Sequence, residues 1–356
     1  MNPALKKTAF AICFPFSPFY SQLMVLRAFL YRKRIISPYE SPVPVISVGN
    51  LTMGGTGKTP LVMYLARYLN SLGYKPAIVS RGYRGKAKAP VTVVSDGATM
   101  LTDADQGGDE PWLMANELPG VVVATGKNRI FPCRHVVESY QCDIIILDDG
   151  FQHLKVSRSI DLVLFDVDVF AGNSRVFPAG ELREPVSALN RCHAFVLTGN
   201  NQTNRERADM CAGLLQQKFQ DKALFRFTAS YNRAYKYYAD TRPCRRETIP
   251  VNALPGNLYC FSGIANPQRF KNLIEENKIS VSGFKIFNDH HGYSEKDIRQ
   301  LAAEARLQNA NALLTTEKDM SKISNLEDPG IPIFTLPVAL SENHDFNDFI
   351  TQKLSV

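Results

Sequence analysis

The sequence predicts an α/β protein: a mostly parallel sheet covered by helices on both faces, a smaller α/β lobe after it, and an apolar-basic arm before it. Three observations carry that prediction. Short, uniformly apolar runs alternate with helical patterns, the signature of parallel strands buried on both faces. A glycine-rich loop joins an early apolar run to a long helical pattern. Past about residue 225 the chain turns polar, aromatic and basic, and a second αβ series follows. At 356 residues the chain has room for two lobes of roughly 100–200 residues each. The expected division is an arm over 1–40, a core lobe over 41–228, a connection or hairpin over 229–250, and a smaller lobe over 251–356.

The arm comes first. Residues 8–31 are rich in Phe, Leu and Ala and run into Arg32, Lys33 and Arg34. Pro15, Pro18 and Arg27 interrupt the stretch, so it does not offer the roughly 20 uninterrupted apolar residues of a spanning helix. No small-residue cleavage site marks it as a signal peptide. The pattern is that of a helix lying in a membrane interface, aromatics in the acyl boundary and cations at anionic headgroups. Most of the net charge of +7 sits here, since residues 1–40 hold six basic side chains and one acidic one. The near-neutral remainder gives no reason to expect a nucleic-acid-binding domain.

Composition narrows the class further. Apolar residues make up 45% and charged residues 21%, which excludes a mainly disordered chain. The seven cysteines form no C-x-x-C pair. That argues against a disulfide framework or a zinc ribbon and for a reducing compartment.

Strands are expected at 45–48, 77–80, 91–94, 121–124, 144–147, 162–165 and 195–197, with helices over 60–72, 109–118 and 128–140. In the first helix the apolar positions Leu61, Leu65, Tyr68, Leu69 and Leu72 fall at spacings of three and four. The second series places strands at 258–261, 280–286, 312–315 and 333–336, with helices starting near Pro267 and Ser294.

The strongest chemical signal is the loop 49–59, GNLTMGGTGKT. A loop of this kind, between a strand and a helix, cradles phosphate oxygens with backbone N–H groups and the helix N-terminus. Thr52, Met53, Gly54, Gly55, Thr56, Gly57, Lys58 and Thr59 are the nucleotide-binding candidates. Lys58 would reach the β and γ phosphates, and the Thr59 hydroxyl would meet Mg²⁺. The usual G-x-x-x-x-G-K-[ST] pattern has Gly where this chain has Thr52. The partner element is an Asp at the end of an apolar strand, and residues 144–150, IIILDDG, supply Asp148 and Asp149. Ligands of parallel sheets sit at strand carboxyl ends, so these carboxylates are candidates for Mg²⁺ and its waters. ATP and Mg²⁺ follow from these residues, and the fold class becomes P-loop NTPase-like. The acceptor does not follow. A phosphoryl-transfer enzyme and a membrane-associated switch ATPase both fit. The absence of a loop lysine at Met53 and of an N-K-x-D motif favours the enzyme.

SVGNLTMGGTGKTP, SRGYRG (80–85), GDEP (108–111), DDGFQH (148–153), PAGELREP (178–185), NDHHGYS (288–294) and TTEKD (315–319) occur in this order. With them the chain resembles the tetraacyldisaccharide 4′-kinase family over essentially its whole length. The resemblance implies transfer of the γ-phosphate of ATP to the 4′-hydroxyl of a tetraacylated glucosamine disaccharide 1-phosphate, giving lipid IVA. It also implies a place at the cytoplasmic face of the inner membrane, against an anionic lipid surface, and it points to Asp109 of GDEP paired with His290 as the base. A carboxylate bonded to imidazole fixes the tautomer and raises basicity. On the division above the two residues lie in different lobes, and closure would assemble them. His291 is the competitor to His290, and Asp109 also suits a helix start. Glu110 is a candidate for Mg²⁺ or for orienting the loop. Asn50, Arg81, Tyr83, Arg129, Gln152, His153, Arg183 and Glu184 are the candidate substrate contacts. For TTEKD, a packing or nucleotide-orienting turn and a substrate contact stay open.

Overall fold

A computed structural model describes residues 8, 10–201, 204–238, 245–264, 266–289, 291–323 and 328–355. His290 lies outside the described residues. The chain divides into two compact units, each taken by itself below. The first comprises Met1–Gly107, Met114–Ala229 and Leu340–Val356, and the second Gly108–Leu113 and Ser230–Ala339. Asp109 and Glu110 thus group with the second unit, where the sequence reading put them in the first lobe. One physical reason is an ion pair from Glu110 Oε1 to Lys318 Nζ at 3.1 Å.

The first unit opens with a helix, α1 (Ser17–Arg32), and is built on a nine-stranded sheet. Its strands are β1 (Val45–Asn50), β2 (Pro76–Ser80), β3 (Thr92–Ser95), β4 (Val122–Thr125), β5 (Ile144–Asp148), β6 (Ile160–Asp166), β7 (Ala194–Asn200) and β8 (Ala223–Ser230), with a two-residue edge strand at Ala339–Leu340. The spatial order from that edge is β8, β7, β6, β1, β5, β2, β4, β3. All neighbouring pairs from β8 to β4 are parallel, and β3 runs antiparallel to β4. β1, β2, β4, β5 and β6 are buried at every position, so the sequence shows no alternation. Two apolar clusters serve this sheet. One gathers Phe151, Val163, Phe165, Leu182, Phe195 and Leu215, and the other Val45, Val79, Val122, Val136, Ile145 and Leu147. The sequence reading left out β8 and the terminal helix His344–Leu354. β8 alternates buried and exposed positions only in its middle, a pattern too short to stand out.

β1 lies centrally, between β5 and β6. It delivers its carboxyl end into the glycine-rich loop, which the helix α2 (Lys58–Ser71) follows. Gly57 caps that helix at φ 77°, a left-handed conformation that favours glycine.

The second unit carries a six-stranded sheet of β9 (Arg233–Tyr238), β10 (Arg245–Pro250), β11 (Leu258–Ser262), β12 (Val281–Ile286), β13 (Ala312–Thr315) and β14 (Ile333–Thr335), in the order β10, β9, β14, β13, β11, β12. β12, β11, β13 and β14 are parallel, whereas β9 pairs antiparallel with β14 and with β10. The polar, aromatic stretch after residue 229 thus contributes two strands of this sheet. The helix Glu295–Leu307 starts in a capping box between Ser294 and Asp297, which fixes its first turn.

At Gly49 the central strand meets the turn after β5. An added Cβ there would stand 2.6 Å from Phe151 Cβ and 2.7 Å from Phe151 N. Gly49→Ala is expected to lower stability by about 1–3 kcal/mol, the cost of overpacking a filled core. Chemical denaturation checks this, and a midpoint equal to that of the parent chain would show that the two strands can part without cost.

Candidate active site

The loop after β1 is held from three sides. Asn50, fully buried, donates from Nδ2 to the carbonyls of Thr52 at 2.8 Å and Gly54 at 3.4 Å. Thr198 at the end of β7 donates to Thr56 O at 2.7 Å. Backbone bonds join Met53 N to Glu181 O and Arg183 N to Leu51 O, each at 2.8 Å, so that Thr52 bridges antiparallel to Leu182. This accounts for threonine where the usual pattern has glycine. Thr52 is fully buried in a strand-like contact, whereas Met53, Gly54 and Gly55 are the exposed members of the loop. Gly54 has φ 115°, and nothing lies within 4 Å of a Cβ built at Gly54 or Gly55. The loop keeps open space where a phosphate would approach.

Lys58 lies at the start of α2. Its Nζ is 3.2 Å from Asn50 Oδ1 and 3.4 Å from Asp149 Oδ1. Arg183 grips the same carboxylate, Nη1 lying 3.0 Å from Oδ1 and 2.8 Å from Oδ2. Burial works against the charge on Asp149, but Lys58, Arg183 and Arg129 outweigh it and hold the carboxyl below its usual range. Arg129, 6% exposed, donates to the Asp149 carbonyl at 3.4 Å. One anion thus gathers three cations at the mouth of the loop. Asp149 has φ 50°, which turns its side chain out of the strand line that Asp148 continues.

Asp148 is 3% exposed and pairs in register with Val48 of β1. Its Oδ2 accepts from Ser80 Oγ at 2.9 Å. The Thr59 hydroxyl and the Asp148 carboxylate are hard oxygen donors, the chemistry that suits Mg²⁺. Among the described residues no group of three or more His, Cys, Asp or Glu could hold a metal by itself. Mg²⁺ in nucleotide sites typically uses one or two carboxylates together with phosphate.

Gln152 ties the pieces together. Its Nε2 donates to Asn50 O at 2.9 Å, and its Oε1 accepts from Arg183 Nη1 at 3.3 Å. His153 is half-buried, and burial, followed by Arg129 and its other cationic neighbours, pushes its imidazole down to about 3. It is therefore neutral at physiological pH. Stability from this group is fully present above the unfolded value near 6.5 and is lost as pH falls towards about 3. Glu184, 3% exposed, is taken by Arg191, with contacts of 2.6 and 3.1 Å. Arg191 in turn lies 3.7 Å above the Phe151 ring and donates to Phe151 O. Glu184 therefore props the DDGFQH turn from inside. Arg81 and Tyr83 are exposed after β2, and Arg84 lies over the Tyr83 ring.

Ser80, Thr198 and Arg191 were missed in the sequence. Ser80 and Thr198 stand at carboxyl ends of parallel strands, a position that could have flagged both. Arg191 carries no such signal.

In the second unit, Asp109 and Glu110 form the first turn of the helix Asp109–Glu117. His291 is engaged: its Nε2 is 3.3 Å from Asp297 Oδ2, and its ring stacks on Phe287 at 4.6 Å. TTEKD is a local girder. Thr315 donates to Phe261 O, and Asp319, fully buried, accepts from Gly263 N at 3.0 Å and Thr316 Oγ1 at 2.8 Å. Glu317 accepts from Tyr237 and Thr335, and Lys318 reaches Glu110.

A phosphate loop at a strand–helix junction, a lysine and a strand-end acidic pair define a P-loop phosphotransferase. The chain also matches the family described as Tetraacyldisaccharide-1-P 4'-kinase over residues 9–355. A relative named tetraacyldisaccharide 4'-kinase from Desulfotalea psychrophila is 43% identical, over 97% of each chain. One of the same name from Syntrophus aciditrophicus is 37% identical, over 95% of this chain and 91% of its own. A crystal structure of "apo" form LpxK from Aquifex aeolicus in complex with ATP superposes with a TM-score of 0.75 at 30% identity, covering 97% of this chain and 99% of that one. The chain belongs to the tetraacyldisaccharide-1-P 4'-kinase family.

Lys58→Ala is expected to lower phosphoryl transfer by roughly 10²–10³ in kcat, the cost of removing one preorganised charge, while the chain stays folded. Turnover and circular dichroism check this, and full turnover in the folded variant would remove Lys58 from the chemistry.

Proposed function

We propose that the chain is an ATP-dependent lipid kinase that transfers the γ-phosphate to the 4′-hydroxyl of a tetraacyldisaccharide 1-phosphate, giving lipid IVA. The observation that carries this reading is the loop in which Lys58, Asp149 and Arg183 converge, in a chain belonging to this family along nearly its whole length. Lys58 gives its charge to the β and γ phosphates, and the open backbone at Gly54 and Gly55 admits their oxygens. The Thr59 hydroxyl and Asp148 are the residues that would hold Mg²⁺. When bound, that ion neutralises charge on the phosphates. Asp149 keeps Lys58 and Arg183 in place for the nucleotide. Glu110, paired with Lys318, is read as fixing the turn that bears Asp109.

Asp109 and His290 are proposed as the base. The imidazole takes the proton of the attacking hydroxyl, and the carboxylate holds its tautomer. The commitment of His291 to Asp297 and Phe287 supports His290 in this role.

The membrane reading is supported by α1, which leaves a row of large apolar side chains outside. Phe19, Leu23, Val25, Leu26 and Phe29 are exposed, while Ser17, Tyr20, Met24, Arg27, Ala28 and Tyr31 are buried or half-buried. A continuous apolar face of this kind marks a lipid or protein contact, and a lipid acceptor favours the former. No helix among the described residues is long and apolar enough to cross a membrane. We place the chain as a peripheral protein on the cytoplasmic face of the inner membrane, where ATP and acceptor meet. A groove of about 530 Å³ lies beside α1, lined by apolar side chains such as Met24, Phe29 and Leu154 together with charged ones such as Arg32, Arg158 and Asp161.

With γ-labelled ATP and tetraacyldisaccharide 1-phosphate in detergent micelles, the label is expected in lipid. Release of inorganic phosphate alone would replace the kinase with a switch ATPase. In the same assay Asp109→Ala and His290→Ala should each lower kcat by roughly 10²–10⁴. The double variant should be little worse than the poorer single one, with ATP affinity little changed. Multiplicative losses would mean two separate roles.

A further inference from the structure

A charge inside an apolar interfacial stretch needs a reason, and Arg27 has one. It lies on the inward face of α1, half-buried, and its Nη2 donates to the backbone carbonyl of Gln152 at 3.1 Å. The Gln152 side chain is the bracket described above, bonded to Asn50 O and to Arg183 Nη1. Asn50 holds the phosphate loop and Lys58, and Arg183 holds Asp149. A second contact runs in parallel: Tyr20 Oη donates to the carbonyl of Arg183 at 3.4 Å. Ser17 Oγ donates to Val176 O at 2.6 Å, and Tyr20 meets the Phe177 ring edge-on at 5.5 Å. The helix that turns its apolar face outward therefore grips, with its polar face, the backbone of both residues that brace the phosphate loop.

The geometry points to Arg27 as a positioning residue for phosphoryl transfer, acting through Gln152, so that α1 is a structural part of the nucleotide site as well as a lipid contact. Arg27 is assigned no contact with nucleotide or acceptor, and its partner is the Gln152 carbonyl. It fixes the carbonyl of Gln152, and with it the direction from which the Gln152 amide meets Asn50 and Arg183. A guanidinium-to-carbonyl bond is charge-assisted and directional, which an ordinary packing contact would not supply. This inference rests on the kinase reading for its turnover measurement but not for its measurement of nucleotide affinity.

The test uses the full chain and Arg27→Met, which keeps the apolar stem and removes the donors. ATP affinity is measured in neutral detergent without lipid, kcat with the micellar acceptor, and membrane binding by sedimentation with anionic phospholipid vesicles. ATP affinity is expected to fall several-fold and kcat about tenfold, the scale of one lost charge-assisted bond, with sedimentation largely kept. Arg27→Lys, which retains a donor without the reach of the guanidinium, should shift in the same direction by less. Unchanged ATP affinity and kcat would overturn the proposal. So would a loss of turnover that follows sedimentation while lipid-free ATP affinity stays at the parent value, since Arg27 would then be a lipid-facing cation only. If Arg27→Met does not fold and Arg27→Lys binds ATP as the parent does, the tie is structural and the positioning role fails. A parent chain that binds ATP but labels no lipid would remove the kinase reading and leave the affinity comparison intact.

Discussion

The carboxylate of Asp149 is the interaction on which the site depends. Lys58, Arg183 and Arg129 converge on one turn, and like charges so close would repel without an anion among them. Asp149 supplies that anion from a left-handed backbone position directly after β5. The consequences spread along the chain. Lys58 is held over the loop mouth, Arg183 is drawn in from the PAGELREP segment, and Gln152 is bonded to Arg183 and to the end of β1. A nucleotide phosphate at the proposed site would meet cations already collected, so little of the cost of gathering them would fall on binding.

The core strands were legible because complete burial leaves an unmistakable mark: β5 reads Ile-Ile-Ile-Leu-Asp and is buried throughout. The loop and the acidic pair were legible for a related reason. Phosphate chemistry needs a backbone free of side chains and a carboxylate at a strand end, and few sequences supply both by chance. What could not be read were contacts set by tertiary geometry alone. Arg191 stacks on Phe151 and grips Glu184, yet nothing local distinguishes it from a surface arginine. Thr52 departs from the usual glycine because it faces Leu182, a pairing across more than a hundred residues of chain. The grouping of Gly108–Leu113 with the second unit depends on tertiary contacts such as Glu110 to Lys318, which no sequence periodicity announces.

The arm joins these two themes. Read as a sequence, it is an apolar stretch spoiled by two prolines and an arginine. In the structure Pro18 sits in the first turn of α1, where its missing N–H costs nothing, and Arg27 faces inward to a carbonyl. Residues that interrupt the apolar pattern are ones the fold uses, while Phe19, Leu23, Val25, Leu26 and Phe29 stay exposed.

The organising role of Asp149 is tested most directly by the melting temperature of Asp149→Asn, measured in chelator with and without ATP. Without ligand the variant should melt several degrees below the parent, because Lys58 and Arg183 lose their shared anion. ATP should then raise its melting temperature by more than it raises that of the parent, since the phosphates replace the missing charge. Equal melting temperatures without ligand, or a smaller rise with ATP, would show that these cations are held by something other than Asp149.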